Sequence, residues 1–194
     1  MSTASVTSRP GAVLADLLPA SRARDIALVV GGAALTGIAA QISVPVPGSP
    51  VPVSGQTFAA LLVGTALGAR RGFLSLALYA VVGMAGMPWF AEGASGYAMP
   101  SFGYILGMLL AATVVGGLAR RGADRSVLRT AGTMAVGSVI IYAVGVPYLA
   151  LATGMSLSQA VAAGLTPFLI GDALKAALAM GALPTAWKLI GRRS

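Results

Sequence analysis

Two ionisable residues, Asp172 and Lys175, lie inside a long apolar stretch near the end of the chain. A spacing of three residues on a helix places both side chains on one face. A charge inside a membrane-spanning helix costs roughly 2.5–3.5 kcal/mol on insertion scales, so it is a functional candidate by default. The pair offers carboxylate acceptors and ammonium donors, which suit a neutral ligand group with N–H and C=O, such as a urea or amide. A purely structural ion pair and a proton relay are the alternatives.

Further candidate ligand-binding residues come from two loops and the helix starts beside them. Gln56 follows a proline-rich loop that ends near Ser54, and a second, glycine-rich loop and the segment after it contribute Trp89, Phe90, Tyr97 and Tyr104. Small-ligand sites are mostly apolar with a few polar groups, which fits this set. Aromatic residues near the membrane interface also form ordinary belts, and Gln56 equally suits a local capping role.

Composition explains why so few polar residues stand out. Of 194 residues, 57% are hydrophobic and 9% are charged, whereas ordinary soluble domains carry about 25% charged residues. The chain has no Cys and no His, which excludes haem, iron–sulfur, thiol and zinc chemistry and any His relay. It also lacks a phosphate-binding glycine-rich motif for ATP and a carboxylate cluster for a metal. We therefore expect a membrane protein that is not an enzyme and binds no metal or cofactor.

Six apolar segments have about the length that a bilayer requires. They are residues 26–44, 53–69, 72–87, 101–119, 130–152 and 165–190. Four prolines between Pro45 and Pro52 separate the first two segments, because proline does not fit a helix interior. The prediction is an all-α integral membrane protein with one six-helix domain over residues 25–194, preceded by a flexible or interfacial cytoplasmic tail over residues 1–24.

The positive charges predict the orientation, because Lys and Arg favour the cytoplasmic side. With both termini inside, the inner segments hold 12 of the 13 cations and the outer loops hold only Glu92. These 12 are Arg9, Arg22, Arg24, Arg70, Arg71, Arg120, Arg121, Arg125, Arg129, Lys188, Arg192 and Arg193. Nucleic-acid binding by the cluster 120–129 is disfavoured, because it needs a basic patch in a polar domain.

Small residues recur along the first segment. Gly32, Thr36 and Ala40 lie four apart, and Ala33 and Gly37 form a neighbouring row. Such rows allow two helix backbones to approach closely. They favour either packing within the bundle or docking to a separate membrane subunit, and the sequence leaves both open.

Three stretches carry a specific resemblance. They are Pro45-Val46-Pro47 through Gln56-Thr57-Phe58 to Gly64, Gly68 and Arg71-Gly72; Gly83 to Phe90 with Gly103-Tyr104-Ile105-Leu106-Gly107; and, most specific, Pro167-Phe168-Leu169-Ile170-Gly171-Asp172-Ala173-Leu174-Lys175. In these stretches the chain resembles the BioY family, the substrate-binding membrane subunits (S components) of energy-coupling-factor biotin transporters.

This resemblance implies a biotin pocket on the outer side of a bacterial inner-membrane protein, with biotin as cargo and not as cofactor. The implied partners are a transmembrane coupling protein and two ATP-binding subunits. Asp172 would accept from the ureido N–H groups, and Lys175 would donate to the ureido oxygen. The small residues of the first segment would dock the coupling protein. Ser54, Gln56 and loop backbone N–H groups are all open as partners of the biotin carboxylate.

The sequence departs from the family pattern at the rim of the pocket. Ser54-Gly55 replaces an expected Thr-Leu pair, Ser101-Phe102 replaces Thr-Gly, and Ile170 replaces a frequent proline. The alternative functions are an ion- or proton-coupled carrier that uses Asp172, and an intramembrane enzyme. The latter is disfavoured because no second acid, His or Cys lies near Asp172.

Overall fold

The computed structural model describes residues 11–191, which are predominantly α-helical. Its helices are α1 (Arg22–Ala40), α2 (Gln56–Leu67), α3 (Ala69–Met84), α4 (Phe102–Arg120), α5 (Val127–Thr153), α6 (Leu157–Gly164) and α7 (Leu169–Gly191). Short 3-10 helices cover Leu14–Leu17, Ala91–Gly93 and Thr166–Phe168. The predicted helical membrane protein is confirmed in this broad form.

A small hairpin replaces the predicted end of the first apolar segment. Strands β1 (Ser43–Val44) and β2 (Val53–Ser54) pair antiparallel, with Ser43 opposite Ser54 and Val44 opposite Val53. Helix α1 therefore ends at Ala40, four residues before the predicted boundary. The cause is local. The backbone groups of Ser43 and Val44 pair with strand β2, and prolines, which do not fit a helix interior, follow directly.

The last apolar segment also differs from its prediction. Its helix α7 begins at Leu169 rather than at residue 165, and the separate short helix α6 precedes it. Pro167 lies in the first turn of a 3-10 helix, where its missing N–H is tolerated. In the part that the structure describes, four helical stretches are long and apolar enough to cross a membrane: Arg22–Ala40, Phe102–Arg120, Val127–Thr153 and Leu157–Ile190.

Helix α4 forms the centre of the bundle, where it packs against α2, α3 and α5. The α2–α3–α4 contact depends on small residues: a Cβ added to Gly72 would lie 2.9 Å from the Cα of Gly64 and 3.4 Å from the carbonyl oxygen of Ala112. Around this contact, Leu76, Tyr79, Ile105 and Met108 are fully buried. Because the backbones of α2, α3 and α4 approach so closely, positions 64 and 72 require glycine.

The outer surface of the bundle is apolar. Leu151 is 86% exposed, Leu128 83% and Ile170 78%. Large exposed apolar surfaces on a monomer mark contact with lipid or another protein. This exterior fits a multi-pass membrane protein.

The described part of the predicted tail is packed on the bundle. Val13 and Ala15 are buried, and Asp16 lies 2.9 Å from Arg71 and 3.5 Å from Arg120. Burial opposes ionisation of Asp16, but the Arg71 hydrogen bond, the Val13 N–H and the Arg120 charge outweigh it and lower its pKa. Residues 1–10 of the tail, with Arg9, and the cations Arg192 and Arg193 lie outside the described residues.

The small residues of α1 serve packing inside this chain. All five of those proposed for docking are buried, namely Gly32, Ala33, Thr36, Gly37 and Ala40. A Cβ added to Gly32 would lie 2.6 Å from Ser75 Oγ, and one added to Gly37 would lie 2.9 Å from the Trp89 ring. Because α2, α3 and the loop after α3 contact these positions, the small size of Gly32 and Gly37 is required by packing within the chain.

Candidate functional site

The two intramembrane charges lie together at the start of α7. Lys175 Nζ lies 3.3 Å from Asp172 Oδ1, and the two side chains are only 18% and 16% exposed. Asp172 belongs to the first turn of the helix, where the helix dipole stabilises negative charge. The predicted juxtaposition on one helix face is confirmed as geometry.

Helices α2 and α5 give each charge a second partner. Lys175 Nζ donates to Thr57 Oγ1 at 2.8 Å, and the Tyr142 hydroxyl donates to Asp172 Oδ2. Charge-assisted hydrogen bonds of this kind fix the side chains as well as stabilise them. The sequence reasoning missed both hydroxyls as site residues. Thr57 lies beside Gln56 in the first resemblance motif, and Tyr142 is a polar-tipped residue in the middle of an apolar segment, which is a usable signal.

Two small cavities adjoin the pair, each with about 20 Å³ of space for a water-sized molecule. The lining of both includes Thr57, Tyr142, Asp172 and Lys175. The first extends between α2, α5 and α7 toward Phe58, Leu61, Met134, Ser138, Ile141 and Ala176. The second lies under the hairpin and is completed by Val51, Pro52, Ser54, Gln56, Tyr104 and Phe168. A volume of this size holds about one water.

Gln56 and Ser54, two of the predicted site residues, line the second cavity and are each 6% exposed. Gln56 Oε1 accepts a hydrogen bond of 2.9 Å from the Tyr79 hydroxyl. Because this oxygen is engaged, the amide NH₂ is the group that Gln56 can offer a ligand. Gln56 thus lies on the wall of the cavity, held there by Tyr79.

Tyr104 belongs to an aromatic wall of the same cavity. Its hydroxyl donates to the Gly164 carbonyl at 2.7 Å. Its ring stacks on Phe168 with centroids 6.5 Å apart and meets Tyr142 edge-on at 6.4 Å. Phe168 belongs to the third resemblance motif. It is a further lining residue of this cavity.

The other three predicted aromatic residues do not reach the cavities. Trp89 donates to the Tyr79 carbonyl at 3.0 Å, and Phe90 packs edge-on against Tyr79 at 5.1 Å. Both contact Tyr79, whose hydroxyl donates to Gln56, so they support Gln56 indirectly. Tyr97 is 67% exposed on the second loop, so it does not line the site in this structure.

The arrangement is suited to recognition. It combines an anionic acceptor, a cationic donor, a phenol, a hydroxyl and a primary amide in a largely apolar surrounding. The opposite charges of Asp172 and Lys175 balance one another, so a neutral polar group with both N–H and C=O is the matching ligand chemistry. The fold and this arrangement define a multi-pass helical membrane protein with a partly buried cluster of polar and charged side chains between its helices.

The chain belongs to the BioY family, whose family model matches residues 9–192. A probable biotin transporter BioY of Pyrococcus horikoshii is 37% identical over 162 residues, which cover 82% of this chain and 93% of that protein. The biotin transporter BioY of Thermotoga maritima is 34% identical, with coverage of 75% and 85%. The BioY of Rhizobium etli is 31% identical, with coverage of 67% and 74%.

The fold also matches a crystal structure at 2.1 Å of the S-component for biotin from an ECF-type ABC transporter. The TM-score is 0.76 at 21% sequence identity, and the match covers 88% of this chain and 95% of the other. The resemblance stated from the motifs is thereby confirmed. The family is one of transport proteins and not of enzymes.

Proposed function

We propose that this protein is the biotin-binding S component of an energy-coupling-factor uptake transporter. It binds biotin from the outer side of the membrane and delivers it to the cytoplasm with an ATP-driven coupling module. Biotin is its cargo, and the subunit needs no cofactor of its own. The names of the relatives and the S-component fold support this function.

The observation that carries the proposal is the partly buried Asp172–Lys175 pair with its two hydroxyl partners. The ureido ring of biotin is neutral and has two N–H donors and one carbonyl acceptor. Asp172 accepts from the N–H groups, and Lys175 donates to the carbonyl oxygen. In an apolar surrounding these bonds discriminate between ligands, because a ligand without the ureido group displaces water from Asp172 and Lys175 and forms no hydrogen bonds in its place.

The remainder of the ligand lies on apolar surfaces. Tyr104 and Phe168 offer flat walls to the tetrahydrothiophene ring, while the Gln56 amide and the Ser54 hydroxyl are available donors to the carboxylate. The present cavities hold about one water each, so biotin entry requires the surrounding elements to separate. Val51 and Pro52 of the hairpin loop cover the second cavity, which makes the hairpin the element that opens.

We further propose one membrane domain over residues 25–194 with six spans, both termini inside, in the bacterial inner membrane. Cations of separate elements meet at one end of the bundle: Arg71 and Arg120 share Asp16, and Arg125 stacks at 4.5 Å over Trp187 near the end of α7. A common basic end is typical of the cytoplasmic side.

The proposed partners are a transmembrane coupling protein and two ATP-binding subunits. The docking surface that we propose is a groove of about 490 Å³ between α1, α2 and α7, which Gly32 of the small-residue row also lines. Ala27, Gly31 and Leu35 lie four apart along it and are exposed. A Cβ at Gly31 would meet nothing within 4 Å, so packing within this chain does not require its small size.

Calorimetric titration of the purified protein with three ligands tests the proposal. Biotin and dethiobiotin, which both contain the ureido ring, should bind, whereas lipoate, which has a similar acid chain without that ring, should not. Asp172→Asn and Lys175→Met should each weaken biotin binding by about 1–3 kcal/mol, because a buried partner is left unpaired.

Two charge changes at the proposed inner end serve as matched controls. Asp25→Asn and Arg129→Gln remove one charge of each sign away from the site and should leave biotin affinity unchanged. Thermal unfolding of every variant separates loss of binding from loss of folding. Unchanged affinity in both site variants, or lipoate binding as tight as biotin binding, would contradict the assignment.

A further inference from the structure

A second groove lies on the other side of α1, between α1 and α3, with a volume of about 630 Å³. Its walls are apolar and are formed by Ile26, Val29, Val30, Leu74, Ala77, Leu78 and Val81. At one end the lining becomes charged, with Asp25, Arg70, Arg71 and Arg120. The groove thus has an apolar body and a polar mouth.

The mouth carries a surplus of positive charge. Asp25 is shared by Arg24 at 2.7 Å and Arg71 at 3.1 Å. Arg71 and Arg120 also share Asp16. Arg70 is exposed and has no side-chain partner among residues 11–191. The lining thus holds three guanidinium groups, of Arg70, Arg71 and Arg120, and one carboxylate, of Asp25, which leaves a surplus of two positive charges.

The wall that α3 contributes to the groove has about the length of one leaflet of a bilayer. From Arg70 to Val81 helix α3 rises about 16 Å, at 1.5 Å per residue. Half of the hydrocarbon core of a membrane is about 15 Å thick. The apolar body thus extends from the level of the charged interface to about the middle of the bilayer, as a single acyl chain does.

We propose that this groove binds an anionic phospholipid of the inner leaflet. One acyl chain lies between α1 and α3, and the phosphate contacts Arg70 and Arg120. Basic pockets between transmembrane helices at the cytoplasmic side are suited to anionic headgroups. A zwitterionic lipid is disfavoured because it brings a further cation to a mouth that already has two in excess. The proposal goes beyond biotin binding and rests on the proposed orientation of the basic end.

Native mass spectrometry of the purified protein with equimolar dioleoyl-phosphatidylglycerol and dioleoyl-phosphatidylcholine tests the site. The wild type should retain phosphatidylglycerol in preference. Arg70→Gln should reduce this retention roughly fivefold, the effect of one cation at a membrane surface, and Arg70→Glu should reduce it further. Phosphatidylcholine retention should change little. Arg129→Glu, which reverses another exposed inner cation away from the groove, is the matched control.

A second variant tests the apolar body of the groove. Leu74→Trp fills it from a side chain that is 42% exposed, so the bundle should fold, and phosphatidylglycerol retention should fall. Equal retention of the two lipids, an equal effect of Arg129→Glu, or normal retention in Leu74→Trp would overturn the proposal. If Leu74→Trp no longer co-purifies with the coupling module but retains phosphatidylglycerol normally, the groove is a protein-binding surface and the lipid proposal is wrong. Biotin titration of the same samples reports on the transport site separately.

Discussion

The two oxygens of Asp172 have different partners, and this division shapes the site. Oδ1 faces Lys175 at 3.3 Å, while Oδ2 accepts from Tyr142 on another helix. Lys175 is in turn held by Thr57 at 2.8 Å. Because partners from three helices fix the pair, the carboxylate and ammonium groups are oriented before a ligand arrives, which lowers the entropic cost of binding.

At this scale we predict that Tyr142→Phe weakens biotin binding about fivefold, the effect of one lost hydrogen bond of roughly 1 kcal/mol. The phenyl ring keeps its edge contact with Tyr104, so thermal stability should change little. Calorimetric titration measures the change. Tyr148→Phe, which removes a hydroxyl that bonds to the Tyr97 carbonyl at 3.2 Å, is the control and should bind as the wild type does. Equal affinities in both variants would exclude Tyr142 from the site.

Rare residues were predictable from the sequence, whereas their partners were not. Asp172 and Lys175 stand out because few charges occur in apolar segments, and their spacing fixes their common helix face. Thr57 and Tyr142 become partners only through the packing of α2 and α5 against α7, which no local pattern encodes. The same limit explains why Trp89 and Phe90 were predicted as ligand-binding residues. Their aromatic character is compatible with a ligand wall, but their position against Tyr79 depends on tertiary packing.

Among the elements, the segment before α1 is the least expected. Its 3-10 helix Leu14–Leu17 is attached through buried Val13 and Ala15 and through the ion pairs of Asp16. Composition alone suggested a tail, because the segment is short and mixed. The short helix α6 was missed for a similar reason, although Ser156 and Gln159 form a capping box that the sequence pattern Ser-x-x-Gln could have indicated.

We predict that Asp16→Asn destabilises the protein at neutral pH by about 1 kcal/mol, the upper range for partly exposed ion pairs. The folded-state pKa of Asp16 is lowered from its usual value of 3.8, so its contribution to stability is complete above that usual value. It is lost as the pH falls through the lowered folded pKa. Thermal unfolding in detergent at pH 7 and at acidic pH should show the wild type converging on the variant. Glu92→Gln, on an exposed loop, should show no such difference, and a constant gap would contradict the prediction.

At the scale of the whole molecule, α1 separates two grooves of different character. One side faces the apolar groove shared with α2 and α7, and the other faces the groove with the basic mouth shared with α3. The small residues between them are buried in the bundle. Helix α1 therefore presents separate surfaces to a proposed protein partner and a proposed lipid.

We predict that Gly31→Leu abolishes co-purification with the coupling protein and the ATP-binding subunits while biotin binding is retained. A Cβ at this position meets nothing within 4 Å, and the rest of the Leu side chain occupies the groove between α1, α2 and α7. Affinity purification of the coexpressed complex measures the loss. Gly132→Leu, at another position where a Cβ meets nothing within 4 Å, should assemble normally. Intact complexes in Gly31→Leu would place the docking surface elsewhere.

Helices α2 and α7 line both the recognition site and the apolar groove. Thr57 of α2 and Lys175 of α7 meet at the site, whereas Leu62 of α2 and Ala182 of α7 line the groove further along. Any change in the spacing of α2 and α7 therefore alters both the site at Asp172 and Lys175 and the apolar groove. By thermodynamic linkage, a partner that binds one spacing more tightly alters ligand affinity by the same factor as the ligand alters partner affinity. The proposed binding of biotin and the proposed assembly with partner subunits are then linked by a single coupling free energy.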